Sequence, residues 1–143
     1  MSATVPAHAD PRHRRLAVEW TPLGREEQDM ETAATIIQVL LAVIFLGAGG
    51  TKLAGVQMQA ANFERYGYSQ RFRLVTGAVE VIGAAGMIAG LLVEEFAIAA
   101  GVWLAVTMVG AAYTDVRHSP PAMIVAPLVL LMLSLLVVVL RVA

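Results

Sequence analysis

Residues 121–140 read Pro-Ala-Met-Ile-Val-Ala-Pro-Leu-Val-Leu-Leu-Met-Leu-Ser-Leu-Leu-Val-Val-Val-Leu, with no charge on any face. At a helical rise of about 1.5 Å per residue, such a segment covers the roughly 30 Å hydrocarbon core of a bilayer. A helix in a soluble bundle keeps a polar stripe toward water, and this one has none. Working outward, 96–113 repeats the pattern, again without a charged residue. Before it, 74–93 is interrupted only by Glu80, and 33–53 only by Lys52 at its end. Four apolar spans predict an all-α integral membrane protein, a four-helix transmembrane bundle.

Composition agrees. Hydrophobic residues make up 58% of the 143 positions and charged residues 15%, and mean hydropathy is +0.71. A soluble domain averages about 45–50% apolar and about 25% charged. A small globule has too little interior to hide such a surplus, so a soluble enzyme is excluded. Net charge −1 provides no basic footprint for nucleic acid. With no cysteine, disulfides, cysteine-ligated iron–sulfur clusters and thiol relays are excluded. His8, His13 and His118 lie outside the spans, so paired imidazoles do not hold a haem between helices. No cluster has metal-ligand spacing. The glycine run before Lys52 lacks the GxxxxGK[ST] spacing of a phosphate loop.

The charges crowd the start. Residues 1–31 hold nearly half of them, among Pro6, Pro11, Pro22 and Gly24. No apolar core of about 7–15 residues follows the basic cluster, so this is not a secretory signal. A flexible, disordered polar tail is expected over 1–31, ahead of a transmembrane domain over 32–143. Met30, just before the first span, is a second candidate start.

Only the Glu94-Glu95 region separates the second and third spans, which forces a tight hairpin. The first link, 54–73, sets Phe63, Tyr66, Tyr68 and Phe72 among Glu64, Arg65, Arg71 and Arg73. Aromatics mixed with cations suit a membrane interface, and a short amphipathic surface helix is expected there. The third link, 114–120, is expected to be a loop carrying Asp115, Arg117 and His118. An even number of spans puts both termini on one side, with Glu94, Glu95 and Arg141. The other side holds Lys52, Arg65, Arg71, Arg73 and Arg117, and the positive-inside rule makes it cytoplasmic.

Small residues mark the expected helix contacts: Gly49 and Gly50 in the first span, and Gly77, Gly86 and Gly90 in the second. In lipid, close backbone approach is itself the attraction. The Gly86/Gly90 GxxxG pair is expected to pack within the chain. Spans one to three form the expected interior. Span four faces lipid or another subunit, with a kink at Pro127.

Glu80 is the most informative polar residue. It sits about 9 Å by helical rise from the end of its expected span, where a carboxylate costs at least about 2.5 kcal/mol unless paired, protonated or wet. Lys52, from the neighbouring span, is the expected partner. Tyr113, Asp115 and His118 fall near the same end, so Glu80, Lys52, Tyr113, Asp115 and His118 form one candidate ligand or proton pocket, capped by the aromatic link of Phe63, Tyr66 and Tyr68. Ion-pair locking of the bundle is the alternative use of Glu80 and Lys52. Gln38, Thr107 and Ser134 are expected to bond to helix backbone.

The segment Phe45-Leu46-Gly47-Ala48-Gly49-Gly50-Thr51-Lys52-Leu53 resembles the end of the first helix in DoxX-like membrane proteins. Phe63 with Gly67-Tyr68 is similar to that family's interhelical link, with Ser69 where a proline is usual. Thr76-Gly77-Ala78-Val79-Glu80-Val81 resembles its second helix, which opens with Gly-x-x-Glu, and the third-helix Met and Ala positions match 108–112. The resemblance covers 32–140. DoxX and DoxD are small subunits linked to thiosulfate:quinone oxidoreductase, and the wider superfamily includes transport- and assembly-related proteins. The resemblance implies an accessory subunit of a quinone-linked redox system in the bacterial plasma membrane. Its pocket would take a quinone or lipid-like ligand, and electrons would come from a redox partner subunit, since no cofactor is bound covalently. Two alternatives stay open: a proton-coupled transporter working as a homo-oligomer, and a structural or assembly factor without a ligand.

Overall fold

The computed structural model describes residues 10–19 and 21–143. It is helical, and no strand occurs among the described residues. The helices are α1 (Pro11–Glu19), α2 (Pro22–Leu53), α3 (Gln57–Arg65), α4 (Gln70–Ala89), α5 (Glu94–His118) and α6 (Val125–Val142), with a 3₁₀ turn over Pro121–Ile124 before α6. The chain divides into two units at the Ala33/Ala34 junction.

The described residues of the first unit hold α1 and the start of α2. Pro11 and Pro22 each open a helix, where proline's fixed φ is already helical and its missing N–H costs nothing. The Asp10 carboxylate accepts from the Arg12 N–H at 3.1 Å. The Thr21 hydroxyl accepts from the Gly24 N–H at 3.3 Å, as capping side chains do. The part of the expected tail over 1–9 lies outside the described residues.

In the second unit, the apolar stretches of α2, α4, α5 and the 3₁₀–α6 segment are each long and apolar enough to cross a bilayer. Contacts run in opposite sense along neighbouring helices, so the bundle is antiparallel throughout. A Cβ on Gly83, Gly86 or Gly90 of α4 would lie 2.4 Å from the Leu104 side chain, 2.8 Å from Ala100 Cβ and 2.5 Å from the Ala97 backbone of α5. The Gly86/Gly90 pair is thus used inside the chain. A Cβ on Gly101 would lie 2.6 Å from the Val138 side chain of α6. Arg141 near the end of α6 bonds to α2. The four helices therefore close a ring in the order α2, α4, α5, α6.

Leu41, Ala42 and Phe45 of α2, Ala84 and Met87 of α4, Ala97, Ala100, Leu104 and Met108 of α5, and Val137 of α6 form the core. The 3₁₀–α6 segment is the least buried of the four spans, as its Leu- and Val-rich sequence implies. Pro127 falls in the first turn of α6, just after the 3₁₀ turn, where its missing N–H has no α-helical acceptor to lose.

The link between α2 and α4 contains α3, the expected short helix. Ser69 caps α4: it is extended (φ −71°), and its side chain accepts from the Phe72 N–H. α5 runs on to His118 rather than ending at 113, so 114–118 is helix and not loop.

Candidate functional site

The site is built on two tetrads, Gly49-Gly50-Thr51-Lys52 on α2 and Gly77-Ala78-Val79-Glu80 on α4. In each, glycine and charge are three residues apart and so share one helix face. The tetrads cross antiparallel. A Cβ on Gly49 would stand 2.7 Å from the Gly77 carbonyl oxygen and 3.1 Å from Glu80 Cβ. A Cβ on Gly77 would stand 2.9 Å from Lys52 Cβ and 3.0 Å from the Gly49 carbonyl oxygen. Each glycine thus makes room for the stem of the other helix's charged side chain. Gly50 is a correction to the expected contacts, since a Cβ there would meet nothing within 4 Å.

The close crossing brings the charges together. Lys52 Nζ donates to Glu80 Oε1 at 3.0 Å and to Oε2 at 2.8 Å. The side chains are 14% and 7% exposed, and Glu80 lies midway along α4. A bare charge there would be very costly, and mutual neutralisation with hydrogen bonds to both carboxylate oxygens removes most of that cost.

A second layer holds the pair. Arg73, buried on α4, donates through Nη1 to the Lys52 carbonyl, one of the orphan acceptors at the end of α2. Its Nε donates to Gln70 Oε1 at 2.7 Å, while Gln70 Nε2 donates to the Ala60 carbonyl of α3 at 3.1 Å. Gln59 of α3 donates to the Thr51 hydroxyl at 3.3 Å. Gly55, at φ +70°, turns the chain under the Arg73 guanidinium. Arg73 was visible in the sequence only as one interfacial cation among several. The signal that separates it is its i+4 and i+7 spacing to Gly77 and Glu80, which puts it on the same face.

Tyr113, Asp115 and His118 turn to other partners. The reason is that α5 continues through them: at about 100° per residue, Tyr113 and Asp115 face nearly opposite ways. Tyr113 is 55% exposed and carries the Arg117 guanidinium over its ring at 4.7 Å. Asp115 accepts from the Ser119 hydroxyl at 2.9 Å. The His118 ring lies 6.0 Å from the Tyr66 ring and 6.2 Å from that of Tyr68. Phe63, Tyr66, Tyr68 and Phe72 do form one aromatic cluster, with the Tyr68 hydroxyl 3.2 Å from that of Thr114 on α5. The arrangement is a buried ion pair between α2 and α4, and an aromatic cap joining the α3–α4 link to α5.

The expectation for Thr107 and Ser134 matches their bonds to backbone one turn earlier. Gln38 also bonds to helix backbone, donating to the Met87 carbonyl of α4 at 2.6 Å, and in addition accepts from Arg141 of α6. Among the described residues, no group of three His, Asp or Glu side chains is placed to hold a metal ion.

The family model for the DoxX-like family matches residues 36–137, from near the start of the first apolar stretch to the last turns of α6. The chain belongs to the DoxX-like family. This DoxX-like chain is also 32% identical over 105 residues to the uncharacterized protein YdgD of Bacillus subtilis (strain 168), a match covering 72% of this chain and 92% of the relative. No solved structure matches it. Family membership and four apolar helices make this DoxX-like protein a multi-pass membrane protein in contact with lipid.

Proposed function

We propose that this DoxX-like protein is a small accessory subunit of a quinone-linked redox system in the bacterial plasma membrane, and that the Lys52–Glu80 pair engages the quinone headgroup. The observation that carries the reading is a buried, mutually bonded ammonium and carboxylate halfway through a bilayer-spanning helix. An ammonium has three N–H donors, and Glu80 takes two. The third is available to a quinone carbonyl. Each carboxylate oxygen keeps a lone pair for a quinol hydroxyl. Reduction of a quinone to a quinol takes two electrons and two protons. A partner subunit supplies the electrons, and the carboxylate is a station for the protons.

A second reading is favoured by one observation. Arg73, Gln70 and Gln59 bond the ends of α2, α3 and α4 to one another beside the pair, as a lock fixing α2, α3 and α4 requires. Under that reading the protein is a structural or assembly factor.

Glu80→Gln separates the two. Binding of a short-chain menaquinone analogue is titrated in detergent, alongside helicity and thermal unfolding. The quinone reading predicts at least about tenfold weaker binding by a folded variant, the worth of one charge-assisted hydrogen bond. Unchanged binding refutes it. If the variant unfolds and Lys52→Arg, which keeps the pair, binds quinone no differently from the parent, the lock reading stands.

A further inference from the structure

The end of the bundle opposite Lys52 carries a second polar constellation, between α6 and α2. Arg141 lies near the end of α6 and is half-buried. A cation at a helix end in a bilayer ordinarily snorkels out to water. Here it turns onto the bundle instead. Nε and Nη2 form a fork on Gln38 Oε1 at 3.2 and 3.0 Å, and Nη2 also donates to the Thr35 hydroxyl oxygen at 3.2 Å. Gln38 is fully buried and is fixed in turn by its bond to the Met87 carbonyl. The guanidinium plane is therefore set by groups that cannot rotate away.

What this cluster lacks is an anion. Among the described residues, no carboxylate comes within the 4.0 Å ion-pair distance of Arg141. Nη1 makes no hydrogen bond. Thr35 is also unlike its neighbours. Thr32, Thr51, Thr76, Thr107 and Thr114 each donate the hydroxyl proton to a backbone carbonyl one turn back. Thr35 makes no such bond and only accepts from Arg141. Its hydroxyl, bonded to Nη2, keeps a proton to donate. A positive charge, a fixed plane and adjacent free N–H and O–H donors at the end of a bilayer-spanning helix are the requirements for gripping an oxyanion.

We propose that Arg141 and Thr35, positioned by Gln38, form a phosphate-binding site at the membrane face opposite the Lys52 end of the bundle. Nη1 and the Thr35 hydroxyl donate to the phosphate oxygens. The phosphate of an anionic lipid headgroup and free inorganic phosphate share this chemistry, and the test distinguishes them. The site is independent of any quinone role, since Thr35 lies about 25 Å by helical rise along α2 from Lys52.

The full chain in detergent is examined by native mass spectrometry and thermal unfolding. The additions are phosphatidylglycerol, phosphatidylcholine or inorganic phosphate. The parent protein is expected to retain phosphatidylglycerol over phosphatidylcholine and to unfold at a higher temperature with it. Arg141→Gln is expected to weaken that retention roughly tenfold, and Thr35→Val severalfold with unfolding of the lipid-free protein unchanged. Inorganic phosphate that raises the unfolding temperature of the parent but not of the variants assigns the site to the free ion. If neither addition distinguishes the parent from Thr35→Val, the site does not exist, whatever happens to the fold of Arg141→Gln.

Discussion

At the residue scale, the glycines of the α2–α4 crossing differ from others in the same run. Gly49 and Gly77 each precede a charge at i+3, and each faces the other's backbone at sub-van der Waals distance for an added Cβ. Gly47 and Gly50 lie in the same run, and an added Cβ there meets nothing within 4 Å. Gly49→Ala and Gly77→Ala are therefore expected to destabilise by about 1–3 kcal/mol, the range for overpacking. Gly47→Ala and Gly50→Ala are expected to be neutral, or to stabilise by up to about 1 kcal/mol through helix propensity. Denaturation in mixed micelles orders the four variants, and equal effects at Gly49 and Gly50 would contradict the crossing. The sequence made the pair legible because a lone carboxylate and a lone lysine in adjacent apolar spans have few other partners. It did not separate Gly49 from Gly50, since both look small in a small-residue run. Only the angular position relative to Lys52 tells them apart.

At the element scale, two readings turned on where helices stop. Charged residues after 113 look like the end of a span, yet α5 continues to His118 before Ser119-Pro120. A residue preceding proline is pushed out of helical conformation, and that, rather than the charges, is the stop. A helix keeps turning where a loop would allow convergence, so Tyr113 and Asp115 diverge. The start of α4 was legible only as a link lacking its usual proline. The structure places a cap there, with the Ser69 hydroxyl on the Phe72 N–H at 3.2 Å. Ser69→Ala is expected to cost about 0.5–2 kcal/mol, as loss of an N-cap does, and Ser69→Thr less. Equal stability of the parent and Ser69→Ala would deny the cap a role. The α4–α5 hairpin leans on backbone contact throughout. Gly90→Val, with its Cβ 2.5 Å from the Ala97 backbone nitrogen, is expected to abolish folding into a compact monomer, read by size-exclusion chromatography and protease resistance.

At the scale of the whole molecule, four antiparallel helices close into a ring whose last contact, α6 on α2, is made by Arg141 across a separation of 103 residues from Gln38. That contact was invisible in the sequence, where Arg141 is placed only by its side of the membrane and Gln38 is expected only to bond to helix backbone. The ring puts Lys52, the aromatic cap and the Arg-rich link at one end, and Glu94, Glu95 and Arg141 at the other. A chain without cysteine permits a clean test of sidedness. Single cysteines at Ser119 and Leu92 are expected to react with an impermeant maleimide from opposite faces, with Ser119→Cys labelled only after the cytoplasmic side is opened. Labelling of both from one face would break the antiparallel topology. The account rests above all on the coupling of two buried charges at the glycine crossing. A double-mutant cycle of Lys52→Met and Glu80→Leu, followed by reversible unfolding in bicelles, measures it directly. Each single variant is expected to lose about 3–5 kcal/mol by stranding its partner, and the double variant much less than their sum. Strict additivity of the two losses would show that the charges do not meet in the membrane.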